Sequence, residues 1–266
     1  MPEDITPDDQ AQPSVSKRAD IQGLRAVAVI LVAFHAGLPI RGGFIGVDVF
    51  LVISGFVIMG VLTRELERTG TIRFRNFYSR RIKRLLPALA LMTTVVVAAS
   101  AFLGSPFGSQ QTTAKTALGA TSFSANLVIL HEQVGYFTPS AALDPLLHTW
   151  TLSVEEQVYL VSPALLLGSW IVGRWLLRAS KRGAATMLLL VTTSSFLLCL
   201  LLSFGLMSAP GIGDGERFAF YSSITRIWEF AIGAALASGT SRLERVPRKI
   251  ARAASDRLRG DPVAVF

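Results

Sequence analysis

Six long apolar stretches recur along the chain, at residues 24–40, 44–62, 85–103, 158–177, 187–206 and 218–237. Each approaches the ~20 residues that an α-helix needs to cross the hydrocarbon of a bilayer. The stretch 105–150 differs, being rich in Gly, Ser, Thr and Asn with only a weak apolar segment at 117–130. That segment is expected to lie on the interface or to re-enter rather than cross. The expected fold class is all-α: a polytopic transmembrane helix bundle with about six crossings and one interfacial or re-entrant segment.

Composition sharpens this. Hydrophobic residues make up 51% of 266, charged residues 17%, and the mean hydropathy is +0.48. A soluble globular chain is nearer one quarter charged, so a soluble enzyme, a secreted disulfide scaffold and a disordered chain are excluded. The 26 basic and 18 acidic residues leave a net charge of +8 and a pI near 10.2. In a soluble protein that excess would point to nucleic acid. Here it fits the gathering of Lys and Arg in cytoplasmic loops, and no nucleic-acid partner is expected. Placing four basic groups inside puts 21 of the 26 basic residues in the cytoplasm. They are Lys17–Arg18, the cluster from Arg64 to Arg84, Arg174 to Arg182, and Arg242 to Arg259. This orients both termini to the cytoplasm of a plasma (inner) membrane.

Residues 1–19, acidic and proline-rich, read as a disordered cytoplasmic tail and not as a signal peptide. The transmembrane domain is expected over 20–239 and a basic cytoplasmic tail over 240–266. The lone cysteine, Cys199, permits no intrachain disulfide and no zinc cluster. No metal-ligand spacing and no glycine-rich phosphate loop is present, so no metal is expected.

Ionisable residues within apolar spans cost several kcal/mol and are therefore functional candidates. The first span carries Arg25 near its start and His35 near its outer end. An imidazole can serve as general base, or can simply make a hydrogen bond at the water interface. Asp48 opens the second span across a short turn from His35 and could orient its tautomer; an N-terminal helix cap is the alternative. Ser54 follows on the same span. Arg80, Arg81 and Arg84 lie in a basic loop before the third span. Arg81 and Arg84 would share one helical face, and guanidinium forks suit phosphates. A positive-inside anchor is the alternative, and composition alone favours it.

The run Pro145 to Tyr159 holds His148, Trp150 and the adjacent carboxylates Glu155 and Glu156. A capping box with Ser153 as cap and Glu156 three residues on is the structural alternative. Arg226 and Glu229, at i,i+3 in the sixth span, are expected to pair, as structural glue first and as a site wall second.

Taken together, these blocks resemble one family, the membrane-bound acyltransferase-3 proteins that include O-antigen and peptidoglycan O-acetyltransferases. The resemblance rests on Asp20-Ile-Gln-Gly-Leu-Arg25 through His35, Gly46-Val-Asp48 to Ser54-Gly55-Phe, and Phe77-Tyr to Arg84-Leu-Leu-Pro87. It continues in Leu147-His148-Thr149-Trp150 to Glu155-Glu156-Gln157 and in Arg226-Ile-Trp228-Glu229. It implies an enzyme, an O-acyltransferase, that moves an acyl group, usually acetyl, from cytoplasmic acyl-CoA (acetyl-CoA as co-substrate, with no permanently bound cofactor). The acceptor would be a hydroxyl of an extracytoplasmic glycan.

On this resemblance His35 is the catalytic histidine with Arg25 its basic partner. Asp48, Glu155 and Glu156 complete the acid–base set. Arg80, Arg81 and Arg84 meet the CoA phosphates, and His148, Trp150, Ser54, Arg226 and Glu229 line the acceptor side. The arginines are thus expected on the inner face and the imidazole and carboxylates on the opposite one. Membrane lipids are the remaining partners.

Two departures stand out. Members usually have ten residues between the arginine and the histidine, whereas Arg25 and His35 are i,i+10. That sets the two positions about 80° apart around a regular helix unless a bulge restores the register. Members also carry about ten crossings, so a chain with six is expected to be a truncated product, a fragment, or one that works with a partner. Two other readings explain the charged spans: an inactive remnant that keeps the motifs, and a transporter or flippase of lipid-linked glycan. The second would call for broken helices and an internal repeat, and the sequence suggests neither.

Overall fold

The computed structural model describes residues 19–37, 45–132, 144–176, 178–207 and 214–243. Residues 1–18 and 244–266 of the expected tails, and the expected turn between the first two spans, lie outside them, whereas residue 19 and residues 240–243, expected as tail, belong to helices. The described residues are helical, with no strand among them, and fold into α1 (Ala19–Gly37), α2 (Ile45–Thr69), α3 (Phe74–Leu103), α4 (Ser109–Thr121), α5 (Ala125–His131), α6 (Thr149–Leu176), α7 (Ser180–Ser203), α8 (Gly215–Tyr221) and α9 (Ser223–Leu243). Four of these, α2, α3, α6 and α7, are long and apolar enough to cross a membrane. At ~1.5 Å per residue the 25 residues of α2 reach about 37 Å, more than the ~30 Å hydrocarbon layer. The first expected crossing falls on α1, 19 residues long, and the last on the pair α8–α9. The weak apolar segment 117–130 forms parts of α4 and α5, which at 13 and 7 residues are too short to span.

The chain falls into two compact units, Met1–Phe50 and Leu51–Phe266. In the first, Ala28 is fully buried, and a Cβ on Gly46 would lie 2.6 Å from its carbonyl oxygen. Only glycine allows α1 and the opening turn of α2 to approach that closely. The rest of α1 turns Leu24, Val27 and Ile30 outward, an apolar surface suited to lipid.

In the second unit, α7 packs between α6 and α9, and α3 packs on α4. Its helices touch backbone to backbone where glycines permit. A Cβ on Gly55 would strike the backbone of Phe230, and one on Gly233 would strike that of Val52 and Phe56. Membrane helices gain little from apolar burial against one another, because lipid is equally apolar, and rely on such close packing. Exposed Leu91, Val95 and Phe102 on α3 and Leu189 and Leu190 on α7 form the complementary lipid-facing surface. A cluster of Leu62, Leu66, Ile72, Phe77 and Leu166 closes the α2–α3 end of the unit.

Three boundaries differ from expectation. The third helix begins at Phe74, so the basic segment is its first turns and not a loop. A three-residue tether after Gly70 leaves no room for one, with Glu65 accepting from the Arg73 amide at 3.1 Å. The sixth helix begins at Thr149, which places Ser153 inside it, accepting from the Ala125 amide at 3.1 Å and donating to the Thr149 carbonyl. Ser153 is therefore not a cap.

The last expected span is broken at Ser222, although the sequence suggested no broken helix. The break is tolerated because side chains take up the carbonyls it frees. Thr225 donates to that of Ala219, Arg226 to that of Phe220, and Asn126 to that of Tyr221.

Candidate functional site

Three consecutive polar residues on α6 organise the second unit. Successive side chains on an α-helix point ~100° apart, so Glu155, Glu156 and Gln157 cannot face one partner, and each binds a different neighbour. Glu155 faces α2: its Oε1 accepts from Ser54 Oγ at 2.7 Å and from the Tyr159 hydroxyl at 2.7 Å. Glu156 faces α3: its Oε2 accepts from Arg81 Nε at 3.1 Å and its Oε1 from Arg81 Nη2, a two-point guanidinium–carboxylate fork. Gln157 faces α5 and the start of α9. It donates to Asn126 Oδ1 at 2.9 Å and to the Phe123 carbonyl at 2.8 Å, and accepts from Ser223 Oγ.

The layer lies within the bundle. Ser54 is fully buried and sits nine residues, ~14 Å, beyond the first residue of α2. Glu155 and Tyr159 are also buried. Arg81 lies seven residues, ~10 Å, into α3, with its guanidinium centre 3.6 Å from the Tyr159 ring centroid. Tyr78, one turn earlier, donates to the Leu160 carbonyl at 2.6 Å and so fixes the register of α3 against α6.

This corrects the expected separation of arginines from carboxylates. Arg81 and Glu156 share one layer, because the early start of α3 carries Arg81 into the bundle and the early start of α6 carries Glu156 down to meet it. The expected sharing of a face by Arg81 and Arg84 also changes. Arg81 turns inward, while Arg80 and Arg84, at i,i+4, remain exposed.

The other candidates occupy several places. Arg226 and Glu229 pair as their spacing predicts, Nη1 to Oε1 at 2.9 Å, with Glu229 only 1% exposed. Arg226 also lies 4.9 Å from the Phe220 ring centroid. Trp150 is buried against Phe220 and Tyr221 at 4.9 and 5.1 Å, so it joins this aromatic wall. His148 is exposed just before α6.

In the first unit, Arg25 sits over the Phe50 ring at 5.4 Å and Asp48 is half-buried in the first turn of α2. His35 lies on the last turn of α1 and its side chain is outside the described residues, as is any contact it makes with Asp48. The helix is continuous from Ala19 to Gly37, so no bulge restores the register, and positions 25 and 35 stay about 80° apart.

Tyr159 and Gln157, like their partners Asn126 and Ser223, were not singled out from the sequence; for the first two the signal was present, a hydroxyl and an amide one turn or less from two carboxylates.

An apolar cavity of about 70 Å³ adjoins the layer, walled by Gly55, Val158, Leu166 and Phe230.

Residues 18–255 match the family described as an acyltransferase domain. The peptidoglycan O-acetyltransferase OatA of Listeria monocytogenes serovar 1/2a is 32% identical over 225 residues, covering 82% of this chain and 33% of that protein. A Bacillus subtilis (strain 168) protein with the provisional name peptidoglycan O-acetyltransferase YrhL is 33% identical over 219 residues, with 82% and 32% covered. A Staphylococcus aureus (strain COL) protein provisionally named as an O-acetyltransferase is 36% identical over 149 residues, with 55% and 24% covered. The chain thus spans about a third of the length of the first two relatives. No solved structure matches it significantly.

Proposed function

The chain belongs to the acyltransferase-3 family, and on that premise we propose that it transfers an acetyl group from acetyl-CoA to a hydroxyl of a peptidoglycan-type glycan across the plasma membrane. The observation that carries this reading is the layer of buried Glu155 and half-buried Glu156 and Arg81, with Ser54 and Tyr159 both donating to one carboxylate oxygen of Glu155. Charged groups are expensive at this depth, and a bundle held by packing alone would not need them.

In this reading the exposed Arg80 and Arg84 meet the phosphates of the donor, for which guanidinium forks are suited. Arg81 extends that positive charge into the bundle. The acceptor oxygen attacks the thioester carbonyl, forming the C–O bond as the C–S bond breaks. His35 takes the hydroxyl proton and passes it to the departing thiolate. Asp48 steers the imidazole, Glu155 and Glu156 order the polar layer, and exposed His148 serves the acceptor side; Arg25, ~15 Å from His35 along a regular helix, adds positive charge and does not touch the imidazole.

The interrupted span bears on the transport alternative. The carbonyls freed at Ser222 are engaged by Thr225, Arg226 and Asn126, so they are not presented to a substrate or coupling ion. Acyl transfer is the better reading.

The test is transfer of labelled acetyl from acetyl-CoA to peptidoglycan in membranes containing the chain. Base-labile label on the glycan is expected, and its loss in His35→Ala with the membrane level of protein unchanged. No label above membranes lacking the protein overturns the activity, and a fully active His35→Ala protein overturns the role of the histidine.

A further inference from the structure

Tyr159 touches both charged arms of the layer. It is 2% exposed. Its ring face carries the Arg81 guanidinium at 3.6 Å, and its hydroxyl donates to Glu155 Oε1 at 2.7 Å. Ser54 reaches that same oxygen from α2, so two donors from two helices fix where it points. Glu156 holds the far side of Arg81 through its fork. The ring is itself braced edge-on by Phe230, 6.0 Å away at 81°, whose backbone lies against Gly55. Phenylalanine would fill the same space. The hydroxyl is needed only if the direction of Glu155 matters, and the aromatic face only if the direction of Arg81 does.

We propose that Tyr159 is a positioning residue for acyl transfer, setting the orientation of Arg81 toward the anionic donor with its ring and that of Glu155 with its hydroxyl. This rests on the acyl-transfer reading above. A hydrogen bond to a charged group and a desolvated cation–π contact are each among the stronger single interactions a side chain makes. The two halves of the tyrosine are also chemically separable, so two substitutions divide the roles.

The experiment measures kcat and the donor KM for acetyl transfer by the full chain in membranes, per molecule of folded protein. Tyr159→Phe keeps the ring and loses the hydroxyl. It is expected to lower kcat about tenfold, the scale of one charge-assisted hydrogen bond, with the donor KM unchanged. Tyr159→Leu loses both and is expected to raise the donor KM about fivefold in addition. In a Glu155→Gln background, Tyr159→Phe should leave the residual kcat where it is, because the hydroxyl then has no carboxylate to orient.

A purely structural tyrosine would lower the amount of folded protein and leave both constants per folded molecule intact, and that result overturns the proposal. If Tyr159→Leu does not fold, the near-isosteric Tyr159→Phe and its Glu155→Gln pairing decide alone. Wild-type membranes without transfer overturn the functional reading and this inference with it. An active wild type with an unaltered Tyr159→Phe overturns this inference only.

Discussion

Replacing Arg81 by methionine keeps a long unbranched side chain but removes the charge and both contacts to Glu156. The size of the effect separates two views of the buried layer. A hydrogen bond between helices in a membrane protein averages only ~0.6 kcal/mol, because the unfolded helices find other partners in the membrane. Were the Arg81–Glu156 fork of that kind, Arg81→Met would be nearly silent. Removing one member of a buried ion pair instead costs ~3–5 kcal/mol, since it strands the other charge.

The side chains here are 22% and 12% exposed, so partial screening applies and we expect about 2–4 kcal/mol for Arg81→Met. Glu156→Gln keeps the shape and one acceptor oxygen. In the double variant no charge is stranded, so its cost should fall below the sum of the single ones by about 1.5 kcal/mol or more. The assay is reversible unfolding of the four proteins in mixed micelles by titration with SDS. Single effects that add to within ~0.5 kcal/mol would show that the two groups do not depend on one another, and would refute the account.

Other outcomes follow from the packing. Gly233→Leu should cost ~1–3 kcal/mol or more by forcing α9 off the backbone of α2, seen as loss of folded protein in detergent. Gly168→Ala, where nothing lies within 4 Å of an added Cβ, should stabilise by up to ~1 kcal/mol through helix propensity. Arg226→Met should cost about 3 kcal/mol or more in the same unfolding assay, since it takes the paired guanidinium from Glu229 and the donor from the Phe220 carbonyl. Lys115→Ala, which breaks an exposed pair with Glu132, should shift stability by no more than ~0.5 kcal/mol.

Hydropathy located the long helices because lipid selects apolar residues at every exposed position of a span. It misplaced their ends for the same reason. The arginines at the start of α3 and the polar residues at the start of α6 continue the helix, but they read as loop when only apolar length is counted. The break at Ser222 was not read from the sequence, since the short run Ser222–Ser223 sits within an otherwise apolar stretch and the side chains that relieve the break come partly from α5. The Arg226–Glu229 pair was legible because i,i+3 neighbours are set by helix geometry alone. The Arg81–Glu156 fork was not. Its members are 75 residues apart, and their meeting depends on how far α3 is shifted along α6, a shift fixed by contacts such as Tyr78 with Leu160 that no local spacing encodes.

The threefold division of Glu155, Glu156 and Gln157 among α2, α3 and the α5–α9 side makes α6 behave like a keyed shaft. Deleting one residue between Thr149 and Glu155 would turn the key by ~100° and offer an amide to the arginine; adding one would turn it the other way and offer a carboxylate to the serine-and-amide pocket. Within the first two turns of the helix the tally of residues is therefore as strictly set as their identities.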